Sequence, residues 1–351
     1  MFWPRAILHV DMDAFYVNVH LLDHPEDAGI PLVVGGRPDE RGVVTSASYE
    51  ARRLGVRSAM PTAIALRLVP AVKVVPPNWP RIRECSRLVM AMLGQYGPLE
   101  KMSVDEAYID VTAATEPEAL AAEIRERVPA ETGLPASVGL ATCKLVAKVA
   151  SDFNKPRGLT IVPPGEEASF LAPQPVRAVW GIGPKTAERL AGLGIQNCGQ
   201  LAAADSDRLR AAFGREAENL MRRARGEDDR LVEPERGPAK SISQEWTFNR
   251  DVADAAVLEE YLEKMAAEVA EQLQKRNLLA HTIRVKFRWS DFTTFTRQRS
   301  LEVGTDDAAT IARVARVIWR ENWPAGRPMR LLGVGAASLV EGQGRQLGLF
   351  G

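Results

Sequence analysis

Short apolar runs alternate with stretches of helical spacing over residues 6–162. Apolar runs bounded by Gly, Pro and Asp are typical of strands, whereas apolar side chains at every third and fourth position indicate helices. The pattern predicts strands at 6–10, 31–36, 43–44, 137–141 and 158–162, two short strands in 102–111 that meet at Asp105-Glu106, and helices at 81–96, 119–128 and 144–153. Strands interleaved with helices favour an α/β sandwich of the split βαβ type.

The rest of the chain divides into a helical segment and a second mixed segment. Residues 164–237 carry short helical patterns, and the charged stretch 233–238, with two prolines and a glycine, is typical of a linker. A second β-α-β-β-α-β order follows, with strands predicted at 241–248, 282–289, 293–303 and 330–339 and helices at 254–277 and 306–322. The last dozen residues are rich in Gly and Gln, which indicates a flexible tail.

Length and cysteine usage narrow the class of protein. A chain of 351 residues indicates two or three domains, because single cores stop growing near about 250 to 300 residues. No apolar run reaches the roughly 18 residues of a membrane span, and Asp11 and Asp13 interrupt the first apolar stretch, unlike in a signal peptide. Cys85, Cys143 and Cys198 form no CxxC pair, so we expect reduced core thiols. Together these features predict a cytoplasmic protein.

Charge is balanced over the whole chain but unevenly distributed along it. The formal net charge is zero, which by itself argues mildly against a nucleic-acid partner. Residues 280–300 nevertheless carry five basic side chains against the single acid Asp291, and residues 254–271 are strongly acidic. A protein with segregated charge can present one basic face while remaining neutral overall.

Two acidic pairs could meet at one edge of the first sheet. Asp11 and Asp13 end the first strand, where alternate side chains share a face, and Asp105-Glu106 lies between two short strands. Carboxylates that converge repel one another unless a cation is bound. Oxygen ligands without His or Cys favour Mg²⁺ or Mn²⁺, and two such ions can activate a hydroxyl and stabilise a leaving phosphate. Taken alone, the Asp105-Glu106 pair is more typical of a solvated turn in a hairpin than of a metal site.

Four motifs carry a resemblance to a known family. They are His9-Val-Asp-Met-Asp-Ala-Phe-Tyr16, Ser48-Tyr-Glu-Ala-Arg52, Ser103-Val-Asp-Glu-Ala-Tyr-Ile-Asp110 and Asn154-Lys-Pro-Arg-Gly158. In this order and spacing they resemble the Y-family translesion DNA polymerases, and most closely the bacterial DinB, or polymerase IV-like, branch. The resemblance covers essentially the whole chain.

The resemblance implies an α+β, multidomain right-hand polymerase. It has a ferredoxin-like palm (1–13 and 80–165), small fingers (14–79), a helix-hairpin-helix thumb (166–232), a linker (233–240), a β-α-β-β-α-β little finger (241–340) and a tail (341–351). It also implies that Asp11, Asp105 and Glu106 are catalytic and hold two Mg²⁺ ions, or Mn²⁺ in their place, with the backbone carbonyl of Met12. Asp13 is expected to support the strand end instead.

The deoxynucleoside triphosphate is expected to meet several side chains near this site. Tyr49 and Arg52 lie three apart on a predicted helix, so both can reach one phosphate, and the Arg52 guanidinium suits phosphate oxygens. Lys155 lies in a turn, and the Lys144 and Lys148 pair is either a primer-phosphate contact or a solvated helix face. The resemblance implies that Ser46 adds a hydroxyl to the nucleotide site. Phe15 and Tyr16 follow the metal strand, and Tyr16 is expected to act as a steric gate against the 2′-hydroxyl. Thr45 and Ala59 are expected to cover the nascent base pair. His20 departs from the family, which usually has an acid there.

DNA contacts are predicted in both later segments. The Trp180-Gly-Ile-Gly-Pro-Lys-Thr motif is typical of a helix-hairpin-helix, in which Gly181, Gly183 and Lys185 would meet a phosphate. Basic residues at alternate positions of two strands would make one face of a sheet cationic, able to follow a DNA backbone. They are Arg284, Lys286, Arg288, Arg297 and Arg299.

The chain ends with a motif that resembles the bacterial sliding-clamp peptide, formed here by Gln346, Leu347, Leu349 and Phe350. Exposed apolar side chains on a tail favour a partner that buries them. The sequence therefore predicts a distributive, monomeric, nucleoid-associated translesion DNA polymerase. Its expected partners are primer-template DNA, a dNTP and the sliding clamp, and no membrane association is expected. The alternatives are a catalytically silent DNA-binding and clamp-binding scaffold, a nucleotidyl cyclase with a similar palm, and a UmuC-like member of the family.

Overall fold

The structure, a computed structural model, describes residues 2–235 and 237–342. The predicted clamp-binding residues, Gln346, Leu347, Leu349 and Phe350, lie outside this range. Over the described residues the chain forms two compact units. The first takes in the residues up to 235 apart from 36–43 and 61–63, and the second takes in those two short stretches together with the residues from 237 onward.

The strands largely follow the predicted order, and many of them are longer or shorter at their ends. In chain order they are β1 (Ile7–Met12), β2 (Leu32–Gly35), β3 (Val44–Ala47), β4 (Lys73–Val75), β5 (Leu99–Lys101), β6 (Glu106–Asp110), β7 (Ala136–Ala141), β8 (Leu159–Ile161), β9 (Ser241–Val252), β10 (Leu278–Trp289), β11 (Thr294–Thr305) and β12 (Met329–Glu341).

The helices include five short ones between residues 164 and 237, the segment where the sequence predicted short helices. In chain order they are α1 (Phe15–Asp23), α2 (Tyr49–Arg53), α3 (Thr62–Leu68), α4 (Trp79–Leu93), α5 (Pro117–Thr132), α6 (Lys144–Phe153), α7 (Glu167–Leu171), α8 (Pro184–Gly192), α9 (Cys198–Ala202), α10 (Ser206–Phe213), α11 (Glu216–Ala224), α12 (Ala255–Lys275) and α13 (Ala308–Asn322).

A five-stranded sheet in the order β5-β6-β1-β7-β8 forms the centre of the first unit. Strand β1 is the middle strand, pairs antiparallel with β6 and β7, and is buried along its whole length. Leu8 and Val10 pack towards α4 and α5, whereas Ile7 packs with α6 and the helices that follow. A strand covered by helices on both faces is expected to be almost wholly apolar. The two polar residues of β1, His9 and Asp11, are therefore candidates for a functional role.

The segment before Glu106 differs from its prediction. The strand expected to run into Asp105 ends at Lys101, and residues 102–105 form a turn. The Ser103 hydroxyl accepts the backbone N–H groups of Asp105 and Glu106 at 3.2 and 3.1 Å. A serine that bonds the backbone two and three residues ahead competes with strand pairing, which explains why the strand stops early and the acidic pair projects from a turn.

A second, three-stranded sheet in the order β3-β2-β4 follows α1 in the first unit. Its strands pack with α2 and α3 around Val33, Val44 and Val56. Helix α2 begins at Ser48, whose hydroxyl accepts the N–H of Ala51 at 3.2 Å and so caps the helix. The cap fixes the direction in which Tyr49 and Arg52 leave the sheet.

In the second unit, a four-stranded sheet in the order β11-β10-β12-β9 packs one face against α12 and α13. Strand β10 alternates buried Val285, Phe287 and Trp289 with more exposed basic residues, so its other face is open. No helix among the described residues is long and apolar enough to cross a membrane. The three cysteines are buried free thiols, as predicted.

Candidate active site

Two neighbouring strands bring the acidic residues together at one end of the central sheet. Asp11 on β1 stands opposite Glu106 on β6, and Ser137 on β7 faces Asp11 from the other side. The N–H of Met12 donates to the carbonyl of Asp105 at 3.0 Å. The antiparallel register therefore places Asp11 beside the Asp105-Glu106 turn, as the sequence predicted.

Each carboxylate of this group already has a polar partner. The Lys155 ammonium lies 2.7 Å from Asp11, and the Lys148 ammonium lies 2.9 Å from Glu106. The Ser103 hydroxyl donates to Asp105 at 2.5 Å. Within residues 2–235 and 237–342, no group of three His, Cys, Asp or Glu side chains is arranged as a ready metal cage.

Burial makes this negative charge costly. Burial raises the pKa of Asp11 to about 7, with Lys155 opposing the shift and Glu106 adding to it. Burial likewise raises the pKa of Asp105, against the hydrogen bond from Ser103. Burial alone would lower the pKa of Lys155, but the Asp11 and Asp152 carboxylates outweigh it and raise that pKa. The site therefore favours positive charge next to its carboxylates.

The donor set fits hard divalent cations. The side chains of Asp11, Asp105 and Glu106 and the carbonyl of Met12 offer only oxygen, which is the ligand that Mg²⁺ and Mn²⁺ prefer. His9, two residues before Asp11, is not expected to be a metal ligand, because its Nδ1 is hydrogen-bonded to the Ser151 hydroxyl at 2.7 Å. Burial, with Lys148 and Lys155 nearby, lowers the pKa of His9 and keeps it neutral.

A cavity of about 110 Å³ adjoins the carboxylates on the side of α2. Its lining combines two of the three acidic residues with two cations and four hydroxyl groups, a mixture suited to a phosphate chain next to metal ligands. It is lined by Asp11, Met12, Ala14, Phe15, Tyr16, Thr45, Ser46, Arg52, Ser58, Asp105 and Lys155. Most of the predicted nucleotide-binding residues thus meet at one place, and Ser58, which was not predicted, lines the cavity with them.

Tyr49 and Ala59 do not line this cavity. The Arg52 guanidinium lies over the Tyr49 ring at 4.9 Å, so the two residues share a helix face as predicted. The Tyr49 hydroxyl donates to Asp13 at 3.1 Å. Tyr49 therefore contacts Arg52 through its ring without lining the cavity itself. Ala59 is exposed, in the loop after α2 that packs back against β3.

The Tyr16 ring contacts two other aromatic side chains. Phe15 is buried and meets Tyr16 edge-on with ring centroids 5.9 Å apart. Trp79, the first residue of α4, also contacts Tyr16, at the same centroid distance and nearly at a right angle. Perpendicular aromatic pairs are favourable and directional, so the ring has a fixed position at the cavity wall.

His20 has a local explanation. Its Nε2 lies 2.8 Å from the Asp27 carboxylate, which also accepts the Lys73 ammonium at 2.6 Å. An acidic side chain at position 20 would face Asp27 and repel it. The departure from the family pattern therefore suits this neighbour and lies outside the acidic site.

Lys144 differs from both interpretations of the sequence. Its side chain is buried, forms an ion pair with Glu100 at 2.5 Å, and donates to the carbonyl of Leu231. It neither covers a solvated helix face nor is accessible to a primer phosphate. Lys148, one turn later, pairs with Glu106 instead.

The predicted helix-hairpin-helix turn has the expected backbone. Gly181 has a φ of +94°, a left-handed conformation that an L side chain rarely adopts. Gly183 caps α8 without a side chain, and nothing lies within 4 Å of a Cβ placed there. The first turn of α8, including Lys185, can therefore be approached closely by a ligand.

The five basic residues of β10 and β11 do not share one face, so that prediction is wrong. Arg284, Lys286 and Arg288 stand on the open face of the sheet. Arg297 and Arg299 are paired in register with Val285 and Ile283, which point towards the helices. Directly paired residues of antiparallel strands point the same way, and the Arg299 ion pair with Glu321 of α13 agrees with this.

Several residues that shape the site were missed from the sequence. Ser103, Ser137 and Ser58 hold or line it through hydroxyl groups. Only Ser103 carried a local signal, because a serine two residues before an aspartate is typical of a turn that bonds its own backbone. Ser137 is brought to the site by strand pairing alone.

Comparison with known proteins agrees with this geometry. Residues 10–152 match the impB/mucB/samB family, residues 239–349 match its C-terminal domain, and residues 164–195 match the IMS family HHH motif. The DNA polymerase IV of Desulfatibacillum aliphaticivorans is 43% identical over 99% of this chain and 88% of its own length. That of Listeria monocytogenes serotype 4b (strain CLIP80459) is 40% identical over 95% of each chain.

Solved structures show the same relationship. A Y-family DNA polymerase chimera, Dbh-Dpo4-Dbh, superposes with a TM-score of 0.84 at 28% identity over 96% of this chain and 99% of that one. An insertion ternary complex of Dbh DNA polymerase, also 28% identical, gives a TM-score of 0.66 with the same coverage. The chain therefore belongs to the Y-family of DNA polymerases, in the branch whose members are called DNA polymerase IV, and is a DNA-directed DNA polymerase of translesion synthesis.

Proposed function

We propose that Asp11, Asp105 and Glu106, with the Met12 carbonyl, hold two divalent metal ions, Mg²⁺ or Mn²⁺, and transfer a deoxynucleotide to a primer 3′-hydroxyl. The observation that carries this proposal is the register of β1 and β6, which sets Asp11 opposite Glu106 at the rim of a cavity lined by cations. Such ions, when bound, lower the pKa of the attacking hydroxyl and stabilise the leaving pyrophosphate.

The chain's own residues supply position and charge. Arg52 and Lys155 enter the cavity from α2 and from the turn before β8, and would hold the triphosphate between them. Ser46 would add a hydroxyl donor from β3. Because Lys155 pairs with Asp11 in this structure, it would exchange that carboxylate for a phosphate oxygen when the nucleotide enters.

Sugar selection is assigned to Tyr16. Its ring forms part of the cavity wall and is fixed by Phe15 and Trp79. A rigid ring beneath the sugar leaves no room for a 2′-hydroxyl, which favours deoxynucleotides. Thr45, also in the wall, would cover the nascent base pair together with Ala59, whose N–H donates to the carbonyl of Val44 at 2.8 Å.

DNA is assigned to two surfaces, one in each unit. Gly181, Gly183 and Lys185 at the start of α8 would bind a backbone phosphate. Arg284, Lys286 and Arg288 on the open face of β10 would follow the backbone. Gly333 and Gly335 of β12, paired with Lys286 and Arg284, add no side chains to this face, which suits close approach of a duplex.

The domain boundaries and the clamp contact complete the proposal. We assign the palm to 1–13 and 80–165, the fingers to 14–79, the thumb to 166–232 and the little finger to 241–340. Gln346, Leu347, Leu349 and Phe350 would tether a monomeric, cytoplasmic enzyme to the sliding clamp, raising the local concentration of primer ends without changing the chemistry.

Primer extension with controlled metal tests the proposal. Extension of a primer-template by the full chain should stop in excess chelator and return when Mg²⁺ or Mn²⁺ is added. DNA binding by the same samples, measured by fluorescence anisotropy, should persist in chelator at the same ionic strength. Extension that continues at its full rate in chelator would contradict a metal-dependent transfer.

A further inference from the structure

Asp13 lies immediately after β1 and is only 1% exposed. Its carboxylate accepts the Tyr49 hydroxyl at 3.1 Å, the Ser137 hydroxyl at 2.9 Å and the backbone N–H of Arg157 at 2.7 Å. These donors belong to α2, to β7 and to the turn before β8. A buried carboxylate is retained only where donors satisfy it, so three separate elements converge on this one side chain.

The contact with Arg157 fixes the turn that carries Lys155. Arg157 has a φ of 57°, a left-handed conformation that is unfavourable for a residue with a Cβ. Its N–H donates to Asp13, and the next N–H, that of Gly158, donates to the Ser137 hydroxyl at 3.2 Å. Asp13 and Ser137 thus hold the turn in this conformation, two residues from the lysine that lines the cavity.

The contact with Tyr49 fixes the helix that carries Arg52. Burial and the Asp13 carboxylate raise the pKa of Tyr49, so its hydroxyl stays protonated and donates its one hydrogen to Asp13. The Arg52 guanidinium lies over the ring of this same tyrosine, and its Nε donates to the Ala47 carbonyl at 2.9 Å. Because the hydroxyl of Tyr49 is bound to Asp13, its ring restricts the position of the Arg52 guanidinium at the cavity.

We infer that Asp13 is a positioning residue that sets the distance between Arg52 and Lys155, the two cations that line the triphosphate cavity. One carboxylate contacts the segments that carry both cations, through the Tyr49 hydroxyl for Arg52 and through the Arg157 backbone for Lys155. Cations that are already held at the right spacing lose little conformational entropy when they bind a polyphosphate, so they bind it more tightly. This inference rests on the proposed function, since it takes the cavity to be the site of the dNTP.

The test is Asp13→Asn in the full chain, measured by single-nucleotide insertion into a primer-template. The amide keeps the shape of the side chain but replaces one acceptor oxygen with a donor, so either Tyr49 or Arg157 loses its partner. The KM for the dNTP should rise about tenfold, the change that accompanies loss of one such interaction. The affinity for primer-template DNA should stay within about twofold of that of the unchanged protein.

A double-mutant cycle separates positioning from general stability. Tyr49→Phe removes the hydroxyl that Asp13 accepts, so the effect of Asp13→Asn on dNTP KM should be smaller in that background than alone. Asp27→Asn is the matched control, because Asp27 is also a buried, hydrogen-bonded carboxylate of the first unit, but its partners are His20 and Lys73 and not the segments that carry Arg52 and Lys155. It should leave dNTP KM unchanged.

The outcomes can be distinguished from one another. If Arg52→Ala raises dNTP KM and Asp13→Asn does not, the positioning role is wrong while the cavity assignment stands. If neither Arg52→Ala nor Lys155→Gln affects dNTP KM, the proposed function of the cavity fails first. Should Asp13→Asn not fold, Tyr49→Phe and Ser137→Ala each remove one contact of Asp13, and unchanged dNTP KM in both would overturn the inference.

Discussion

The ammonium of Lys155 lies 2.7 Å from the carboxylate of Asp11, at the point where the cavity meets the acidic residues. Lys155 also contacts Asp152 at 2.7 Å, so one cation is shared by a predicted metal ligand and a carboxylate near the end of α6. When a triphosphate enters, Lys155 can move its charge from a carboxylate to a phosphate oxygen over a short distance. The pair therefore links the nucleotide side of the site to the metal side.

Replacing this lysine should weaken nucleotide binding. We expect Lys155→Gln to raise dNTP KM by about 10- to 100-fold, since hydrogen bonds to charged groups are worth about 1.5–3 kcal/mol. Steady-state insertion kinetics measure the effect. Lys73→Gln, which breaks a lysine–carboxylate pair with Asp27 away from the cavity, is the control. Equal KM values for the two variants would show that Lys155 does not contact the nucleotide.

Sugar discrimination should depend on Tyr16 and, to a smaller extent, on its neighbour. Tyr16→Ala should increase ribonucleotide incorporation relative to deoxynucleotide by about 100-fold, the upper range for a steric difference in a pocket. Trp79→Ala removes an edge-to-face contact worth about 0.5–1.5 kcal/mol and should shift the ratio less. The ratio of kcat/KM for each nucleotide pair provides the measurement. Unchanged discrimination in Tyr16→Ala would mean that the gate is another residue.

The two faces of the second sheet should respond differently to loss of charge. Replacing Arg284, Lys286 and Arg288 with serine should weaken DNA binding and reduce the slope of log K against log salt by up to about 3, or roughly one per phosphate contact. Replacing Arg297 and Arg299, which lie on the helix side, should change the slope much less. Anisotropy titrations at several salt concentrations decide between them. Equal slopes for both variants would place the DNA elsewhere.

The C-terminal segment should act only through its partner. Deleting residues 345–351 removes Gln346, Leu347, Leu349 and Phe350, so stimulation by the bacterial sliding clamp should disappear. Basal primer extension without the clamp should be unchanged, because the tail takes no part in the chemistry. Loss of basal activity, or stimulation that survives the deletion, would contradict the assignment.

Local patterns predicted much of the fold. Helix α6 has the bounds that its apolar spacing indicated, Lys144–Phe153, and the β-α-β-β-α-β order of the second unit was confirmed. Helix α4 begins two residues earlier than predicted, at Trp79, because the Asn78 side chain caps it and Pro80 fits its first turn. That early start is what brings Trp79 to Tyr16.

Contacts between distant segments could not be read in the same way. Tyr49, Ser137 and Arg157 reach Asp13 from 36, 124 and 144 residues away, and no periodicity records such a meeting. The orientation of Arg297 and Arg299 depends on the register of the β10–β11 hairpin, and a shift of one residue would turn both to the other face. Alternation predicts that such residues share a face within a strand, and pairing decides which face it is.

The acidic site is tested most directly by Asp105→Asn. Single-turnover primer extension at saturating dNTP and Mg²⁺ should slow by at least about 10³-fold, the scale of losing a group that stabilises transition-state charge, while DNA affinity is retained. Asp27→Asn, a buried carboxylate away from the site, should extend primers at the rate of the unchanged protein. Extension by Asp105→Asn at that same rate would contradict the assignment of Asp11, Asp105 and Glu106 as the catalytic carboxylates.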